Sequence, residues 1–174
     1  MGTSLLPQKC KIVQAIPPQH NGGGLVGDWV SLKGYDACTI ILHLGSTTAV
    51  DAAGAITVDK ATSVAGANIV TGIQMRHVWR NLDATTADAN QDALAKDASE
   101  TLTTFAVAAS QVDKIYVIEI PAASLLDTTA IVGQSYDCIR VNIGITHVNN
   151  FVGGLYILHE ARYQEEPMPD AVHD

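Results

Sequence analysis

Apolar residues recur at every second position along much of the chain, which is the pattern of β-strands. In the segment 38–44 one row of alternate positions is Cys, Ile, Leu and Leu, and His43 falls on the other row. In the segment 139–145 the alternate positions are Ile, Val, Ile and Ile, whereas Arg140 and Asn142 lie between them. A strand of this kind has one side in a core and one side in water.

The segment 114–120, Lys-Ile-Tyr-Val-Ile-Glu-Ile, differs because both of its rows are apolar. Ile115 and Val117 point to one side, and the Tyr and Ile residues at even positions point to the other. Such a strand is expected in the middle of a two-layer fold. Pro121 ends it, and the next strand follows a connector. The pattern favours an antiparallel β-sandwich over an enzyme built from parallel strands and helices.

The remaining strands divide the chain into one domain with two appendages. Further strands are predicted at 11–16, 28–32, 55–60, 103–107 and 154–163. We predict one β-sandwich domain over residues 25–163, preceded by an N-terminal arm or edge strand at 1–24 and followed by a flexible acidic tail at 164–174. Residues 81–101 are rich in Ala, Asp and Thr and predict an exposed excursion from the domain.

Composition indicates a surface with few charges. Hydrophobic residues make up 47% of the 174 residues, whereas aromatic residues are 5% and charged residues 16%. A chain of this length can bury a full core as a single domain. A surface with few charges is often covered by a partner, so the composition predicts that this protein associates with other protein subunits.

Net charge and hydropathy exclude several classes of partner. The formal net charge is −8, and no cluster of Lys and Arg is present, which argues against direct binding of nucleic acid. No apolar run long enough to span a membrane and no signal-peptide pattern is found, so no membrane partner is predicted. A protein made in the cytoplasm is the expectation.

No cofactor or metal site is predicted from spacing. Cys10, Cys38 and Cys138 are an odd number of widely separated thiols, and we expect them to be reduced and buried. The six histidines show no spacing typical of a zinc site. The glycines at 22–24 and 27 lack the pattern of a phosphate-binding loop.

Two arrangements could carry catalysis, and each has a simpler interpretation. His159 and Glu160 are adjacent on a predicted strand and therefore point to opposite sides unless a bulge intervenes. Asp36 and Asp137 each follow a Tyr at a strand entry, where they could bind Ca²⁺ or form a glycosidase pair, although Asp at such places usually stabilises a turn. We predict no catalytic residue and no enzymatic activity; a hydrolase using Asp or His is the third hypothesis.

Aromatic and cationic residues supply the candidate interface. The segment 76–80, Arg-His-Val-Trp-Arg, is the densest such patch, and stacking of Arg on the indole is expected there. Trp and Arg are enriched at protein–protein hot spots. The predicted interface residues are Trp29, Arg76, Trp79, Arg80, Arg162 and Tyr163.

Four segments together resemble a family of phage proteins. They are Trp29-Val-Ser-Leu-Lys-Gly-Tyr35, the connector 117–127, Tyr136-Asp-Cys-Ile-Arg-Val141 and Leu158-His-Glu-Ala-Arg-Tyr163. In this order they resemble the capsid auxiliary proteins of tailed bacteriophages, called decoration or cement proteins. The resemblance covers most of the chain, but it is a pattern of strands and turns from which no functional residue can be carried over. The excursion at 81–101 and the acidic tail depart from it.

The resemblance implies a fold, a partner and a location. It implies an all-β fold, an antiparallel β-sandwich of jelly-roll type with extended N- and C-terminal arms. It also implies a homotrimer that binds the major capsid protein on the outer surface of the virion and stabilises the shell. A neck, tail or fibre-associated adaptor of the same virion and a carbohydrate-binding β-sandwich are the alternative functions.

Overall fold

The computed structural model describes residues 6–46, 54–81, 94–96, 102–107, 114–126, 135–144 and 150–161. These residues form two antiparallel sheets, and the predicted all-β sandwich is confirmed. The strands are β1 (Lys11–His20), β2 (Leu25–Val26), β3 (Val30–Ser31), β4 (Tyr35–Ser46), β5 (Gly54–Ala61), β6 (His77–Asn81), β7 (Leu94–Lys96), β8 (Phe105–Val107), β9 (Lys114–Pro121), β10 (Cys138–Ile143) and β11 (Asn150–Ala161). One helical turn, Leu6–Lys9, precedes β1, and a 3-10 turn, Ala122–Leu125, follows β9.

The strand order is that of a jelly roll with an added hairpin. One sheet has the order β1-β11-β4-β9-β6-β7, and the other has the order β2-β10-β5-β8, with β3 also pairing with β10. The pairs β1–β11, β2–β10, β4–β9 and β5–β8 are nested and join strands from opposite halves of the chain, as when a long hairpin is rolled into two layers. The short strands β6 and β7 extend the first sheet beyond β9.

The core lies between the two sheets and is filled by the inward rows of their strands. Cys38, Ile40 and Leu42 of β4 are fully buried, as the alternation predicted. The inward row of β10 is likewise buried, and so is that of β9. The largest fully buried side chains are Tyr35, Tyr116 and Tyr156.

Several predicted segments have different bounds in the structure. The strand expected at 28–32 is limited to β3, and the excursion expected at 81–101 contains β7, which pairs with β6. The segment 1–24 includes β1, the edge strand of the six-stranded sheet. Residues 82–93 and 97–101 of the excursion and the tail 164–174 lie outside the described residues.

Edge strand β1 carries features that discourage further strand pairing. It has prolines at positions 17 and 18, and its register with β11 shifts between Gln14 and Ile16 and again before Gln19. Prolines and bulges are the usual means by which natural sheets protect an edge. Because Ala15 and Ile16 are buried, β1 belongs to the core sheet along its middle.

The Tyr156 hydroxyl connects the two layers. It accepts a hydrogen bond from the backbone N–H of Val141 (2.9 Å), in the opposite sheet, and donates one to the carbonyl of Asp28 (3.1 Å). Gly27 is required beside it, because an added Cβ would lie 2.9 Å from the carbonyl oxygen of Val141.

We expect Tyr156→Phe to lower the free energy of unfolding by about 2 kcal/mol, since the buried N–H of Val141 loses its acceptor. Urea denaturation at neutral pH measures this loss, and an unchanged m-value would show that the unfolded state is not responsible. A variant as stable as the parent would show that the hydroxyl does not hold the sheets together.

Candidate protein-interaction surface

The outer side of the six-stranded sheet is apolar, although it faces away from the core. Its outward side chains form rows that cross the strands, because neighbouring strands are paired in register. The central row joins Gln14, Leu155, Ile41, Val117 and Trp79, from β1 to β6. The row on one side of it joins Ile12, Ile157, Thr39, Glu119 and His77. The row on the other side joins Gly153, His43 and Ile115, and the pair His20 and Phe151 lies next to that row. We call this surface the outer apolar face.

Large apolar side chains of this face are open to solvent. Relative exposure is 44% for Ile12 and Phe151, 42% for Leu155 and 36% for Ile115. The sheet is therefore apolar on both sides, and only its inner side is used by the core. Contiguous exposed apolar surface of this kind marks association sites in soluble proteins.

A groove crosses the face above β11. It encloses a volume of about 320 Å³, and Gly153 and Gly154 lie along its floor. Ile16 and Pro18 of β1 line one side, and residues of β4 line the other. The groove exists because Gly153 has no side chain; a Cβ there would lie 3.4 Å from the Pro18 ring. Its shape suits an inserted apolar or aromatic side chain.

The face carries few charges for so acidic a protein. The chain has 18 Asp and Glu residues, yet Glu119 is the one carboxylate on the face among the described residues. Depletion of charge together with aliphatic and aromatic side chains is the composition of interface cores.

Four histidines also lie on the outer apolar face. His77 stacks on Trp79 with ring centroids 5.8 Å apart, and His20 packs edge-on against Phe151 at 5.3 Å. Nε2 of His159 lies 3.0 Å from the Thr39 hydroxyl, and His43 is exposed beside the groove. Besides Glu119 and Gln14, the polar groups named on the face are imidazoles and the Thr39 hydroxyl, which can donate to a partner without adding negative charge.

The structure separates the predicted interface residues. Trp79 lies on the outer apolar face, stacked on a histidine. Arg80 is on the opposite row of β6, next to Tyr116, and Arg76 lies just before the strand, where its Nε donates to Gln74 (3.3 Å). Arg162 and Tyr163 lie outside the described residues.

Trp29 lies just before β3 of the five-stranded sheet and belongs to a polar cluster. The Arg140 guanidinium lies 4.6 Å from the Trp29 ring centroid, so the arginine-over-indole stack expected at Trp79 occurs at this place instead. Arg140 also pairs with Asp59 (3.1 Å), which is 2% exposed. Asp59 accepts two further hydrogen bonds, from the backbone N–H of Gly72 (3.1 Å) and from the Asn142 amide (2.7 Å).

The two Asp carboxylates considered for catalysis lie on different structural elements. Asp36 lies in β4 of the six-stranded sheet, whereas Asp137 precedes β10 of the five-stranded sheet. Glu160 is exposed and has a φ of +57°, in the left-handed region, next to His159. Within the described ranges, no group of three or more His, Cys, Asp or Glu side chains is arranged to hold a metal ion.

The three cysteines are free thiols. Cys38 and Cys138 are buried, as predicted, whereas Cys10 is half-buried. In the part of the chain that the structure describes, no helix is long and apolar enough to cross a membrane.

Sequence reasoning missed most of the outer apolar face. It identified Trp79 from the aromatic and cationic signal but did not single out Ile41, Leu155 or Ile157. The available signal was the apolar character of both rows in the segment 114–120 and again in 154–158, because a strand that is apolar on both sides has more apolar surface than one core can cover.

No protein-family model and no curated protein sequence matches the chain. Among solved structures, the chain is similar to the crystal structure of SPBc2 prophage-derived protein YomS, with 6% sequence identity, a TM-score of 0.42, and coverage of 92% of this chain and 99% of that one. A similarity at this level carries no argument about function.

Proposed function

We propose that this chain is a structural protein of a tailed-bacteriophage virion that binds the outside of the capsid and stabilises it. The observation that carries the proposal is the outer apolar face, an exposed apolar surface on a rigid sheet with one carboxylate among its described residues. The resemblance of four sequence segments to capsid auxiliary proteins supplies the identity of the partner, the major capsid protein.

A decoration role suits a protein that works through its surface. On an icosahedral shell the same contact is repeated many times, so modest contacts add up through effective concentration. Stabilisation then requires only that the protein bind the assembled shell more tightly than separated subunits. The homotrimer implied by the resemblance stays a prediction.

A neck, tail or fibre-associated adaptor would use the same kind of surface, and copy number separates the two roles. We expect about one copy for each major capsid protein in purified particles, because a decoration protein follows shell symmetry. Quantitative mass spectrometry of particles measures the ratio. A ratio of about one in a hundred would instead indicate a ring-shaped neck or tail site, and absence from particles would contradict the proposal.

Carbohydrate binding is a second candidate, supported by a polar cleft on the five-stranded sheet. The cleft has a volume of about 540 Å³ and is lined by Thr57, Asp59, Thr71, Gly72, Thr103, Thr104 and Asn142. Oδ1 of Asn142 is buried and has no hydrogen-bond partner. Hydroxyls, a carboxylate and amides are the groups that bind sugar hydroxyls. Binding in a glycan array that is lost in Thr104→Val would favour this function.

A further inference from the structure

We propose that the outer apolar face binds the same face of a second copy of this chain, with the two-fold axis parallel to the strands between β4 and β9. This inference concerns the free protein, in which a second copy covers the face until the shell replaces it, and it predicts a dimer in solution where the resemblance implies a trimer. It follows from the charge of the face, the order of its strands and the chemistry of the residues that the axis brings together.

Charge favours a second copy as the occupant. Each chain carries a net charge of −8, so two copies repel each other over most of their surface. The outer apolar face, with Glu119 as its one carboxylate among the described residues, lets two acidic chains approach closely. A basic partner would gain more by binding where carboxylates are concentrated.

The strand order places the centre of the sheet between β4 and β9. A two-fold axis that runs parallel to the strands at this centre exchanges the left and right halves of the sheet. Each strand of one copy therefore faces the strand of the second copy that lies equally far from the centre on the opposite side. Strand β4 then faces β9 of the second copy, and β11 faces β6. Such an isologous contact is the commonest interface among homo-oligomers, and packed sheets keep their strands within about 30° of each other.

Along the central row this axis joins complementary apolar groups. Ile41 of one copy faces Val117 of the other, and Trp79 faces Leu155. Leu155 lies at the groove floored by Gly153, so the indole of Trp79 has space to enter. The bulkiest side chain of the face and its main depression are therefore related by the two-fold axis.

In the neighbouring row the same axis matches the polar groups. Glu119 of one copy faces Thr39 of the other, whose hydroxyl lies 3.0 Å from Nε2 of His159. The carboxylate, an acceptor, thus meets the Thr39 hydroxyl, which is free to donate to it when Nε2–H of His159 donates to the hydroxyl oxygen. This arrangement avoids placing the two Glu119 carboxylates opposite each other.

The size of the face is sufficient for a stable dimer. The four strands of the face that meet across this axis, about 4.8 Å apart and about eight residues long at about 3.3 Å per residue, span roughly 500 Å² in flat projection, and β1 adds to this against β7. A standard interface buries about 800 Å² of accessible surface on each partner, and protruding side chains make accessible area larger than its projection.

Leu155→Glu tests the interface with little risk to folding, because this side chain is 42% exposed. We expect the parent protein to have twice the 18.4 kDa chain mass by sedimentation equilibrium, and the variant to dissociate at least about 30-fold more readily, as for a hot-spot residue. Val26→Glu is the matched control, since Val26 is 64% exposed on the five-stranded sheet and should leave the dimer intact.

A second substitution tests the axis. Trp79→Lys combined with Leu155→Glu in the same chain places an ammonium opposite a carboxylate in the proposed geometry, so the double variant should dimerise again. If the axis ran across the strands, position 155 would face position 155, and the double variant would stay monomeric. Circular dichroism and thermal melting of every variant check that the fold is retained.

A monomeric or trimeric parent protein would overturn the inference, and so would a double variant that remains monomeric beside a dimeric parent. These outcomes are separate from the test of the virion role. A monomer that still binds particles in equal ratio to the shell protein would leave the proposed function standing, whereas a dimer absent from particles would leave the interface standing and remove the function.

Discussion

Asp59→Ala is expected to lower the free energy of unfolding by about 3 kcal/mol, because Arg140, whose side chain is 23% exposed, loses its ion-pair partner and two further hydrogen bonds to the carboxylate are lost. Asp59 is almost fully buried on the outer side of β5. Its carboxylate accepts hydrogen bonds from Arg140, Asn142 and the backbone of Gly72. All three donors lose this acceptor in the variant, although Asn142 keeps the Thr57 hydroxyl (3.4 Å) and the backbone on either side of Gly72 stays bonded to β5.

A double-mutant cycle separates the ion pair from the other contacts. Arg140→Met keeps an aliphatic chain beside Trp29 and removes the charge, so its combination with Asp59→Ala should cost less than the sum of the single substitutions. Asp59→Asn keeps the shape of the side chain and removes its negative charge, so it measures the contribution of the charge to stability. Chemical denaturation measures each free energy of unfolding, and a loss below about 1 kcal/mol in Asp59→Ala would contradict a structural role for this carboxylate.

The parts of the fold that sequence predicts well are those set by local alternation. The inward row of 38–44 and, within the described residues, that of 139–143 are buried as predicted, because a period of two leaves only one way to place alternate apolar side chains in a core. The central position of 114–120 in its sheet also follows from its two apolar rows. Whether the second apolar row, Ile115 and Val117, is covered depends on parts of the chain that are distant in sequence. The local pattern therefore could not show that this row faces outward.

The pairing of strands that are distant along the chain could not be predicted from the sequence pattern. Strand β4 lies between β9 and β11, which are separated from it by about 80 and 115 residues along the chain. This arrangement assembles the central row of the outer apolar face from five segments, and it places Trp79 in the six-stranded sheet but Trp29 next to β3 of the other sheet. The predicted interface grouped these two residues because they are chemically alike.

The hydropathy pattern also did not predict that a charged residue would be buried. In the segment 55–60 the inward row continues from Ile56 and Val58 to Lys60, which is 4% exposed. The Lys60 ammonium donates to the carbonyl of Leu125 (3.1 Å) and lies 4.6 Å from the centre of the Tyr136 ring. Hydropathy assigns such a residue to the surface, since the groups that satisfy its charge come from distant parts of the chain.

Alkaline pH is expected to destabilise the protein by about 5 kcal/mol between pH 8 and pH 11, from three buried acids at about 1.4 kcal/mol per pH unit. Burial raises the pKa of the Cys38 thiol far above its ordinary value of 9.0 and that of Tyr156 far above 10.0. Burial also raises the pKa of Tyr116 to about 12, despite the nearby charge of Arg80.

The sign follows from proton binding in the two states. Above pH 9 the unfolded chain loses protons that the folded protein keeps, so stability is full below the unfolded pKa values and falls as pH rises. Guanidinium denaturation at pH 8 and pH 11, with reductant present, measures the loss.

Cys38→Ala isolates the largest of the three contributions. At pH 8 the variant is less stable than the parent because it leaves a small cavity in the core. Between pH 8 and pH 11, however, it should lose about 3 kcal/mol less free energy of unfolding than the parent. The reason is that pH 11 lies two units above the ordinary pKa of a thiol, and over those two units the thiol ionises in the unfolded chain alone. Cys10→Ala changes a half-buried thiol next to β1 and should follow the parent curve. Equal alkaline losses in the parent and in Cys38→Ala would show that repulsion among the surface carboxylates and phenolates, which both proteins share, dominates instead.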